Sequence, residues 1–511
     1  MKSKRKKKRG KAGIIICLFQ AIITVVFSIG LFTLGLLPYK YVIPVVAILV
    51  ILWIIPLLNQ LLCRKRVIFG RILSLLMSVV LLAGMGYVIK TQGMLNSITG
   101  GDKKIDNIVV AVLSKDRAQK IEDAEDYRFG VQLKVKSDET QDMIDEINER
   151  LGMEIDITSY NNVNDQVKAL YDEDVEAIIY NSALVSVIEE TYPNFKEETR
   201  VIYSHDIVSA LDNPLEVNVN ITEPFTVYLS GIDVAGEIET TGRSDVNIIA
   251  VVNPGTHQLL LVTTPRDYYV VLPEISGGMP DKLTHAGIYG VDASMDALSY
   301  LYDEEVDYYA RVNFTSLPQM VDALGGVEVE SEYEFDTHPD SGQVMHVVEG
   351  TNSFNGEQAL VFARERQNVP GGDFQRGKDQ QALITAMMKK AVSPAILKGA
   401  FDIIESVSKN VDTNIPIKFI QDLIRTQIAN PSAWQITSMA ADGWPSTGVC
   451  FSSGDIELSI CEPDYESISE IQYAIDQVMQ GIPLEGALII KDGETVEASE
   501  STDSSESEVT E

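Results

Sequence analysis

The chain has 511 residues, enough for about three domains of ordinary size, and its 45% hydrophobic content excludes a wholly disordered protein. Its formal net charge is −33, from 41 basic and 74 acidic residues, which excludes a general nucleic-acid-binding protein because phosphates need a cationic surface. Four cysteines exclude a disulfide-dense scaffold, and no CxxC or HExxH spacing indicates a zinc site.

The first ninety residues are typical of a membrane anchor. A leader with eight basic residues, 1–12, precedes three apolar stretches at 13–37, 41–62 and 67–89. Each stretch has the roughly 20 residues that a membrane-spanning helix needs. Basic residues flank such helices on the cytoplasmic side, and residues 64–66 are also basic. Three crossings therefore predict a cytoplasmic N-terminus and an extracellular chain after residue 90.

Residues 103–205 are typical of a small α/β domain with a partly parallel sheet, because short apolar strands alternate with helical segments. The predicted strands lie at 108–113, 131–135, 153–157, 175–180 and 200–203, and the predicted helices at 142–151, 163–171 and 183–190. We find no catalytic constellation in this segment and predict an accessory domain.

A linker at 212–214 leads into a second pattern of strands and helices. Strands are predicted at 225–229, 246–252, 259–263 and 327–329, with a hairpin turn at 253–256, and helices at 291–301, 316–324, 357–364 and 378–390. The last segment, from residue 493, is acidic and rich in Ser and Thr, which predicts a disordered tail.

Two cysteines lie near the end of this second pattern. Cys450 and Cys461 flank a turn and a strand-like segment at 456–460. If the three crossings place this region outside the cell, both thiols lie in an oxidising compartment. We therefore predict a disulfide between them.

Arginines beside carboxylates recur in the second pattern, where predicted strands and helices end. A guanidinium group matches phosphate oxygens through two parallel hydrogen bonds, and Mg²⁺ takes one or two carboxylates together with phosphate oxygens. One neighbouring Arg–Asp pair is typical of a surface ion pair. The ordered set instead suggests a phosphate site in which Asp233 and Asp245 supply the carboxylates for a metal.

Seven sequence blocks between Phe225 and Val392 resemble the LytR-CpsA-Psr (LCP) family. They are GID at 231–233, GRSD at 242–245, TTPRD at 263–267, DKLTHA at 281–286, VDALGGVEV at 321–329, FNGEQALVFARER at 354–366 and DFQRGKDQQ at 373–381. Three membrane spans followed by an extra α/β domain are similar to the capsule-associated members. The resemblance implies an α/β fold with a mixed sheet flanked by helices, preceded by a small α/β accessory domain and three transmembrane helices.

The resemblance also implies an activity. Such proteins are Mg²⁺-dependent phosphotransferases, with Mn²⁺ as an alternative ion, and they bind a polyprenyl pyrophosphate in an apolar pocket. They move a glycan phosphate, from a capsular polysaccharide or a polymer similar to teichoic acid, onto peptidoglycan. The implied partners are the lipid-linked glycan, the peptidoglycan acceptor, membrane lipid and the capsule-assembly machinery, with no nucleic acid. The implied location is the cell membrane of a Gram-positive bacterium.

Carried over by position, the resemblance implies roles for individual residues. Asp233 and Asp245 would bind the metal, and Asp373 would take the proton of the incoming hydroxyl group. The pyrophosphate ligands would be Arg243, Arg266, Lys282, Arg364, Arg366, Arg376 and Gln380, and Arg266, Arg364 and Arg366 would also act in catalysis. Asp379 departs from the family pattern, which usually has an arginine there, so Asp379 is not expected to bind phosphate, although Lys378 could compensate.

Three other functions compete with the transferase. A non-catalytic module would bind the same lipid-linked glycan and regulate capsule assembly, and a pyrophosphatase would use the same residues with water as acceptor. A transcription regulator is opposed by the predicted topology, because about a dozen cytoplasmic residues cannot form a DNA-reading domain.

The predicted order of segments follows from these patterns. It is a cytoplasmic leader (1–12), three transmembrane helices (13–90), an α/β accessory domain (103–212), an LCP domain with a C-terminal extension (222–490) and a disordered tail (493–511).

Overall fold

A computed structural model describes most of the chain. The described residues are 11–62, 67–98, 103–133, 137–210, 221–232, 238, 240–313, 316–391, 405–406, 411–484, 488–491 and 494–497. The predicted linker at 212–214, the basic residues 64–66 and Asp233 lie outside them. The chain divides into two compact units, Met1–Ile98 with Pro416–Ser432, and Thr99–Ile415 with Ala433–Glu511.

The first unit is built from three long apolar helices, which confirm the predicted spans. They are α1 (Lys11–Leu34), α2 (Tyr39–Leu62) and α3 (Val67–Ile98), and each is long and apolar enough to cross a membrane. Helix α3 continues nine residues beyond the predicted end of the third span. Many large apolar side chains on these helices are exposed, as lipid-facing side chains are.

A later helix, Ile417–Ala429, belongs to this first unit. The guanidinium carbon of Arg425 lies 5.5 Å from the centre of the Tyr39 ring, and Lys40 Nζ donates a hydrogen bond to the carbonyl oxygen of Ala429. Tyr39 and Lys40 begin α2, so this helix contacts the end of the anchor where α1 and α2 are joined.

The second unit begins with the predicted α/β domain. Its elements are β1 (Lys103–Leu113), β2 (Arg128–Gln132), α4 (Ser137–Leu151), β3 (Asp156–Tyr160), α5 (Val163–Tyr171), β4 (Ala177–Asn181), α6 (Val185–Thr191), α7 (Phe195–Glu198) and β5 (Thr199–Ala210). Among the described residues the sheet has the order β3-β2-β4-β1-β5, in which β2 runs parallel to β3 and β4 while β1 runs antiparallel to β4 and β5. The partly parallel sheet is confirmed.

The alternation of side chains along β1 explains why this sheet carries helices on both faces. Ile108 and Val110 pack with Met143 and Ile147 of α4 on one face, whereas Val109 packs with α5 and α6 on the other. Ile288, from the following domain, also packs into this second cluster. The two domains of the second unit therefore share apolar contacts.

The following domain contains the predicted hairpin and helices. Its elements are β6 (Phe225–Ile232), β7 (Ser244–Asn253), β8 (Gln258–Thr264), β9 (Tyr269–Val271), β10 (Pro280–Lys282), α8 (Leu283–Tyr289), α9 (Val291–Tyr302), β11 (Tyr308–Asn313), α10 (Leu317–Ala323), β12 (Val327–Ser331), β13 (Phe335–Asp336), β14 (His346–Val347), β15 (Gly350–Phe354), α11 (Gly356–Arg364), α12 (Asp373–Ala391), β16 (Val411–Thr413), β17 (Trp434–Ala440), β18 (Gly443–Val449), β19 (Glu457–Pro463), α14 (Tyr465–Met479), β20 (Leu488–Lys491) and β21 (Glu494–Glu497). The helix Ile417–Ala429 is α13 in this order.

The central sheet of this domain is mixed and lies between two layers of helices, as the resemblance implies. Its order in the described chain is β16-β11-β6-β7-β8-β17-β20-β21, with β6 parallel to β11 and β8 parallel to β17. Alternate side chains of β6, β7 and β8 pack against α8, α9 and α14. The opposite face of the sheet meets α10 and α12.

Most predicted elements are present, with shifted ends. The hairpin of β7 and β8 is confirmed, since Asn253 pairs with Gln258. Helix α12 begins five residues before its predicted start, and β3 begins three residues after its own. Residues 494–497 form β21, paired antiparallel with β20, so a disordered tail from residue 493 is wrong for these residues. The tail after residue 497 lies outside the described residues.

The predicted disulfide is also wrong, because Cys450 and Cys461 are free and buried. Strands β18 and β19 pair Val449 with Glu457, so Cys450 lies at the turn of this hairpin while Cys461 is four residues along its second arm. Four strand residues span roughly 13 Å, whereas a disulfide joins Cα atoms no more than about 7 Å apart. Burial raises the pKa of the Cys450 thiol to about 12 and that of Cys461 to about 11.

Candidate functional site

The predicted site begins where β6 ends and β7 starts. The two strands pair Gly231 with Val246 and Ile232 with Ser244, so Asp245, the second residue of β7, lies beside these two residues of the GID block. Asp233, the other predicted metal ligand, directly follows Ile232 but lies outside the described residues. The antiparallel pairing explains why two blocks more than ten residues apart in sequence lie together.

Charged side chains of three blocks form a continuous series from Asp245. Asp245 Oδ1 accepts a hydrogen bond of 2.8 Å from Arg266 Nη1. Arg266 Nε lies 3.6 Å from Asp267 Oδ2, and Lys282 Nζ lies 3.8 Å from Asp267 Oδ1. The side chains of Asp245 and Arg266 are about one-fifth exposed, whereas that of Lys282 is 5% exposed.

The start of α8 holds this series in place. The backbone N–H of Thr284 donates to the carbonyl oxygen of Arg266 at 2.7 Å, and that of Leu283 donates to Tyr268 at 2.9 Å. Gly287 of α8 packs so closely on the GRSD block that a Cβ there would lie 2.5 Å from the carbonyl oxygen of Gly242. A glycine is therefore required for α8 to bring Lys282 next to Arg243.

A buried histidine lies beneath the same series. His285 is fully buried, and its Nδ1 lies 2.7 Å from Asp281 Oδ1 and 2.9 Å from Ser452 Oγ. Burial alone would lower the pKa of His285, but the carboxylates of Asp281 and Glu190 outweigh it and raise that pKa. The two carboxylates thus stabilise the protonated form of the ring against the effect of burial.

A carboxylate from the accessory domain reaches this site. Glu190, on α6, lies 2.7 Å from Lys282 Nζ, 3.4 Å from Arg243 Nη1 and 3.6 Å from His285 Nε2. Burial would raise the pKa of Glu190, but His285 and Lys282 outweigh it and lower that pKa to about 2. Two of the predicted phosphate ligands thus contact a residue in the segment for which we found no catalytic constellation. The sequence analysis missed Glu190.

The ARER block is organised by a buried carboxylate between two exposed arginines. Glu365 is fully buried, and Arg364 and Arg366 on either side of it are exposed. Glu365 Oε1 accepts hydrogen bonds from the backbone N–H groups of Arg366, Gln367 and Asn368 at 2.7–3.0 Å. Burial raises the pKa of Glu365, but these hydrogen bonds outweigh it, so that pKa lies below its usual value.

Helix α12 ties this block to the rest of the site. Gln380 Nε2 donates to the carbonyl oxygen of Ala363 at 3.1 Å, and Gln381 Nε2 donates to that of Thr264 at 3.2 Å. Thr264 ends β8, two residues before Arg266. Arg376 is half-buried on the same helix, and the side chain of Asp373 at its first position lies outside the described part.

Asp379, which departs from the family pattern, is 2% exposed. Its Oδ1 accepts a hydrogen bond of 3.0 Å from Gln375 Nε2, and its Oδ2 has no hydrogen-bond partner in the described chain. Burial outweighs the hydrogen bond from Gln375 and raises the pKa of Asp379 to about 7. Half of these side chains are then protonated near neutral pH, and a protonated carboxyl group can donate a hydrogen bond.

Two cavities lie on different faces of α12. One, of about 200 Å³, is almost wholly apolar and is lined by Leu229, Gly231, Val312, Met320, Ile384 and Met387, among others. The other, of about 590 Å³, is the more polar of the two and is lined by Arg266, Asp267, Glu330, Lys378, Gln381 and Thr385, among others. Within each set, the α12 residues recur every three or four positions, so each set forms one face of the helix.

The described donor set can be tested against the predicted Mg²⁺ ion. No group of three His, Cys, Asp or Glu side chains suited to a metal occurs in the described part of the chain. Mg²⁺ needs less, because it uses one or two carboxylates and completes its shell with phosphate oxygens and water. The side chain of Asp245 is 17% exposed, so its carboxylate is accessible from solvent beside its hydrogen bond with Arg266. Asp245 therefore fits one of the two predicted carboxylate ligands.

The structure thus brings together part of the predicted set. Ion pairs link Asp245 with Arg266 directly, and Lys282 with Arg243 through Glu190. Gln380 is joined to the block that holds Arg364 and Arg366 through its hydrogen bond to the carbonyl oxygen of Ala363. The signal that could have indicated Glu190 is the charge of its neighbours. Lys282 and His285 are both buried, and two buried basic groups require an anion in addition to Asp281.

Comparisons with known proteins agree with the blocks. A model of the LytR_cpsA_psr family matches residues 185–443. A Bacillus anthracis protein named polyisoprenyl-teichoic acid–peptidoglycan teichoic acid transferase TagU is 32% identical over 233 residues, which cover 42% of this chain and 73% of the relative. The Enterococcus faecalis protein of the same name is 36% identical over 203 residues, covering 39% of this chain and 64% of the relative.

Two solved structures also match part of the chain. The crystal structure of Bacillus subtilis TagV is 24% identical and covers 52% of this chain and 99% of its own, with a TM-score of 0.41. Protein gbs0355 of Streptococcus agalactiae is 27% identical and covers 52% and 90%, with a TM-score of 0.42. TM-scores this low superpose too little of the chains to compare their sites. The family match covers half of this chain, which therefore belongs to the LytR-CpsA-Psr family.

Proposed function

We propose that the protein is a membrane-anchored, Mg²⁺-dependent phosphotransferase that moves a glycan phosphate from a polyprenyl pyrophosphate carrier to a hydroxyl group of peptidoglycan. One observation carries the proposal: an apolar cavity adjoins a cluster of cations at the end of β6. Gly231 lines the cavity and pairs with Val246, the residue after Asp245. This junction suits a ligand that joins a hydrocarbon chain to an anionic head.

The names of the relatives support the class of substrate. The Bacillus anthracis and Enterococcus faecalis relatives are named for polyisoprenyl-teichoic acid and peptidoglycan. We infer a substrate of the same class for this chain, in which a teichoic-acid-like polymer or a capsular polysaccharide is linked to the lipid. The capsule-assembly machinery would be a further partner.

The charged residues suit phosphoryl transfer. The acceptor oxygen would attack the phosphorus that carries the glycan, the bond from that phosphorus to the bridging oxygen would break, and polyprenyl phosphate would leave. The transition state spreads negative charge over the phosphate oxygens, and fixed guanidinium groups such as Arg266 and Arg366 would stabilise it. Asp373 would take the proton of the acceptor hydroxyl group.

The polar cavity suits the acceptor. In this transfer the attacking and leaving oxygens lie roughly in line on opposite sides of the phosphorus. If the lipid occupies the apolar cavity on one face of α12, the acceptor approaches from the other face, where the polar cavity reaches Arg266 and Asp267. Carboxylates such as Glu330 can accept hydrogen bonds from sugar hydroxyl groups there.

The metal would assist at the phosphate. Asp245 and Asp233 would hold Mg²⁺, which when bound neutralises charge on phosphate oxygens. Arg266, paired with Asp245, would then stay close to the same oxygens. Without the metal, two carboxylates beside a pyrophosphate would repel it, which is the physical reason to expect metal dependence.

The anchor would hold this site outside the cell and close to the bilayer. The leader and residues 64–66 are rich in Lys and Arg. Because cytoplasmic segments of membrane proteins carry an excess of these residues, we expect both segments on the cytoplasmic side. Three crossings then leave the folded domains outside, where both the lipid head and peptidoglycan are accessible.

A transfer assay tests the proposal. Full-length protein in lipid nanodiscs is given a labelled glycan on polyprenyl pyrophosphate together with peptidoglycan oligosaccharide. We expect Asp245→Asn to lower the rate by about 10²–10³-fold, as removal of a transition-state contact does. Arg366→Lys should also impair transfer, because lysine offers no planar fork. Arg117→Gln, in the accessory domain, should have little effect.

The same assay separates the competing functions. Chelation should abolish transfer by the wild type, and added Mg²⁺ should restore it but should not rescue Asp245→Asn. Label released to water without reaching peptidoglycan would indicate a pyrophosphatase. Binding of the lipid without turnover would favour the non-catalytic regulator, and an undiminished rate for Asp245→Asn under chelation would rule out metal-assisted transfer.

A further inference from the structure

A charged residue with three ionisable partners in the site comes from the accessory domain. Glu190 makes contacts with Lys282 at 2.7 Å, with Arg243 at 3.4 Å and with His285 at 3.6 Å. Its side chain is 23% exposed, between a Lys282 side chain that is 5% exposed and an Arg243 side chain that is 26% exposed. Glu190 thus connects a buried cation to a more exposed one.

The contacts continue beyond Lys282 toward the predicted metal ligand. Lys282 Nζ lies 3.8 Å from Asp267, Asp267 lies 3.6 Å from Arg266, and Arg266 donates to Asp245 at 2.8 Å. Positive and negative charges alternate along this path, so each group is attracted to both neighbours. Loss of Glu190 would remove the only anion that the described residues place within 3 Å of Lys282 Nζ.

The accessory domain is also bonded to the GRSD block from its other side. Thr241, two residues before Arg243, donates from its backbone N–H to Ile105 of β1 at 2.9 Å and from Oγ1 to Asp106 at 3.0 Å. Asp106 is fully buried and lies 3.0 Å from Lys104. The segment that presents Arg243 is therefore held by the accessory domain at two places.

We propose that Glu190 is a positioning residue of the pyrophosphate site, and that the accessory domain uses it to fix Arg243 directly and Arg266 through Lys282 and Asp267. This inference rests on the proposed function for the identity of the anion. Lys282 is too buried to face a ligand freely, so its role is to connect Glu190 to Asp267. Arg243 and Arg266, which are more exposed, are the cations that receive phosphate oxygens.

In an alternative role, Glu190 would weaken pyrophosphate binding instead of strengthening it. A carboxylate that pairs with Arg243 and Lys282 could occupy the place of a phosphate and so compete with the ligand. The buried environment favours positioning, because without Glu190 the buried Lys282 side chain would keep only Asp267, at 3.8 Å, as an anionic neighbour among the described residues. The low pKa of Glu190, about 2, keeps that anion ionised at any physiological pH.

Binding of inorganic pyrophosphate, with Mg²⁺ present, measures positioning without requiring transfer. Isothermal titration calorimetry would use the full chain in nanodiscs as wild type, Glu190→Gln, Glu190→Asp and Glu189→Gln. Glutamine keeps the shape of residue 190 and removes its charge. Glu189 is the matched control, since it lies on the same helix but pairs with Lys196, at 2.9 Å.

We expect Glu190→Gln to weaken pyrophosphate binding by about tenfold, Glu190→Asp to recover part of the affinity, and Glu189→Gln to bind as the wild type does. In the transfer assay Glu190→Gln should raise KM for the lipid-linked donor more than it lowers kcat. A variant that was merely less well folded would lower the apparent kcat and leave KM unchanged.

A double-mutant cycle adds a second measurement. If Glu190 acts partly by holding Arg243, then Glu190→Gln should weaken pyrophosphate binding less in an Arg243→Gln background than in the wild type, and the remaining loss would report on Arg266. Tighter pyrophosphate binding by Glu190→Gln would overturn the proposal and indicate that Glu190 competes with the ligand. Unchanged binding by Glu190→Gln, or a wild type that binds no pyrophosphate, would also overturn the proposal. So would losses of affinity that simply add in the double variant. Pyrophosphate binding without transfer would contradict the proposed function and leave this inference standing.

Discussion

Asp379 shows how burial changes the chemistry of one side chain. Its carboxyl group is 2% exposed and accepts a hydrogen bond from Gln375, which does not offset the loss of water. The arginine usual in the family would be charged at any pH. Asp379 instead exchanges a proton near neutrality, since its pKa is about 7.

This pKa predicts a dependence of stability on pH. Below about pH 4 the carboxyl group is protonated in both the folded and the unfolded chain. As the pH rises to about 7, the unfolded chain ionises while the folded chain still holds the proton at a growing cost, so stability falls. Asp379→Asn should therefore be more stable than the wild type at pH 8, by on the order of 4 kcal/mol, and about equally stable at pH 4.

Urea unfolding of the full-length protein in micelles checks this expectation. The fluorescence of Trp434 and Trp444 reports on the second unit, which contains both residues. Asp455→Asn provides the control, because Asp455 is exposed in the turn between β18 and β19. If the free energies of unfolding of Asp379→Asn and the wild type changed in parallel between pH 4 and pH 8, the raised pKa of Asp379 would be contradicted.

The failed disulfide prediction is also explained at the scale of single residues. The sequence indicated the turn and the strand-like segment that lies in β19, but the register of β19 against β18 decides which residues face each other. Cys461 faces Pro445, not Cys450. A spacing of eleven residues allows several registers, and hydrophobic packing of Cys461 against the main core selected this one.

At the scale of elements, helix α8 positions the site because it lies almost in contact with the backbone of the GRSD block. A Cβ atom at Gly287 would lie 2.5 Å from the carbonyl oxygen of Gly242 and 3.0 Å from the backbone nitrogen of Ser244. Backbone atoms cannot rotate away as a flexible side chain can. The separation of α8 from β7 therefore depends on the absence of a side chain at residue 287.

Gly287→Ala should displace α8, separate Lys282 from Arg243 and lower the stability of the second unit by about 1–3 kcal/mol. Gly377→Ala, on α12, is the matched control, because a Cβ there has no atom of another group within 4 Å. Alanine favours helix over glycine, so Gly377→Ala should raise stability by up to about 1 kcal/mol. Thermal unfolding midpoints that shift in the same direction for both variants would contradict the packing argument.

Elements with strong local signals were predictable, and their ends were less so. The hairpin at residues 253–256 follows from local turn chemistry, and α5 begins and ends where its apolar spacing predicts. Strand β5 runs from Thr199 to Ala210, far beyond the four predicted residues, because it pairs with β1 along its whole length. Pairing with a distant strand leaves little trace in the local sequence.

At the scale of the whole molecule, the charged site draws on two domains of one compact unit. The blocks of the second domain indicated Asp245, Arg266 and Lys282 because their order resembles a family pattern. Glu190 has no such pattern, and its role becomes visible only once α6 lies beside α8. The apolar cavity could not be predicted either, since its lining residues look like core residues in a sequence.

Helix α13 gives the molecule a second attachment to its anchor. The chain leaves α3 for the folded domains, and residues 416–432 then return to the unit of the three apolar helices, where Arg425 meets Tyr39 and Lys40 meets Ala429. Shedding of the folded domains would therefore require more than one cut. A protease site inserted at residues 99–102 and cleaved in intact vesicles should leave the fragment from residue 103 onward in the membrane pellet. Urea should release that fragment, and its appearance in the supernatant without urea would show that a single peptide link had tethered it.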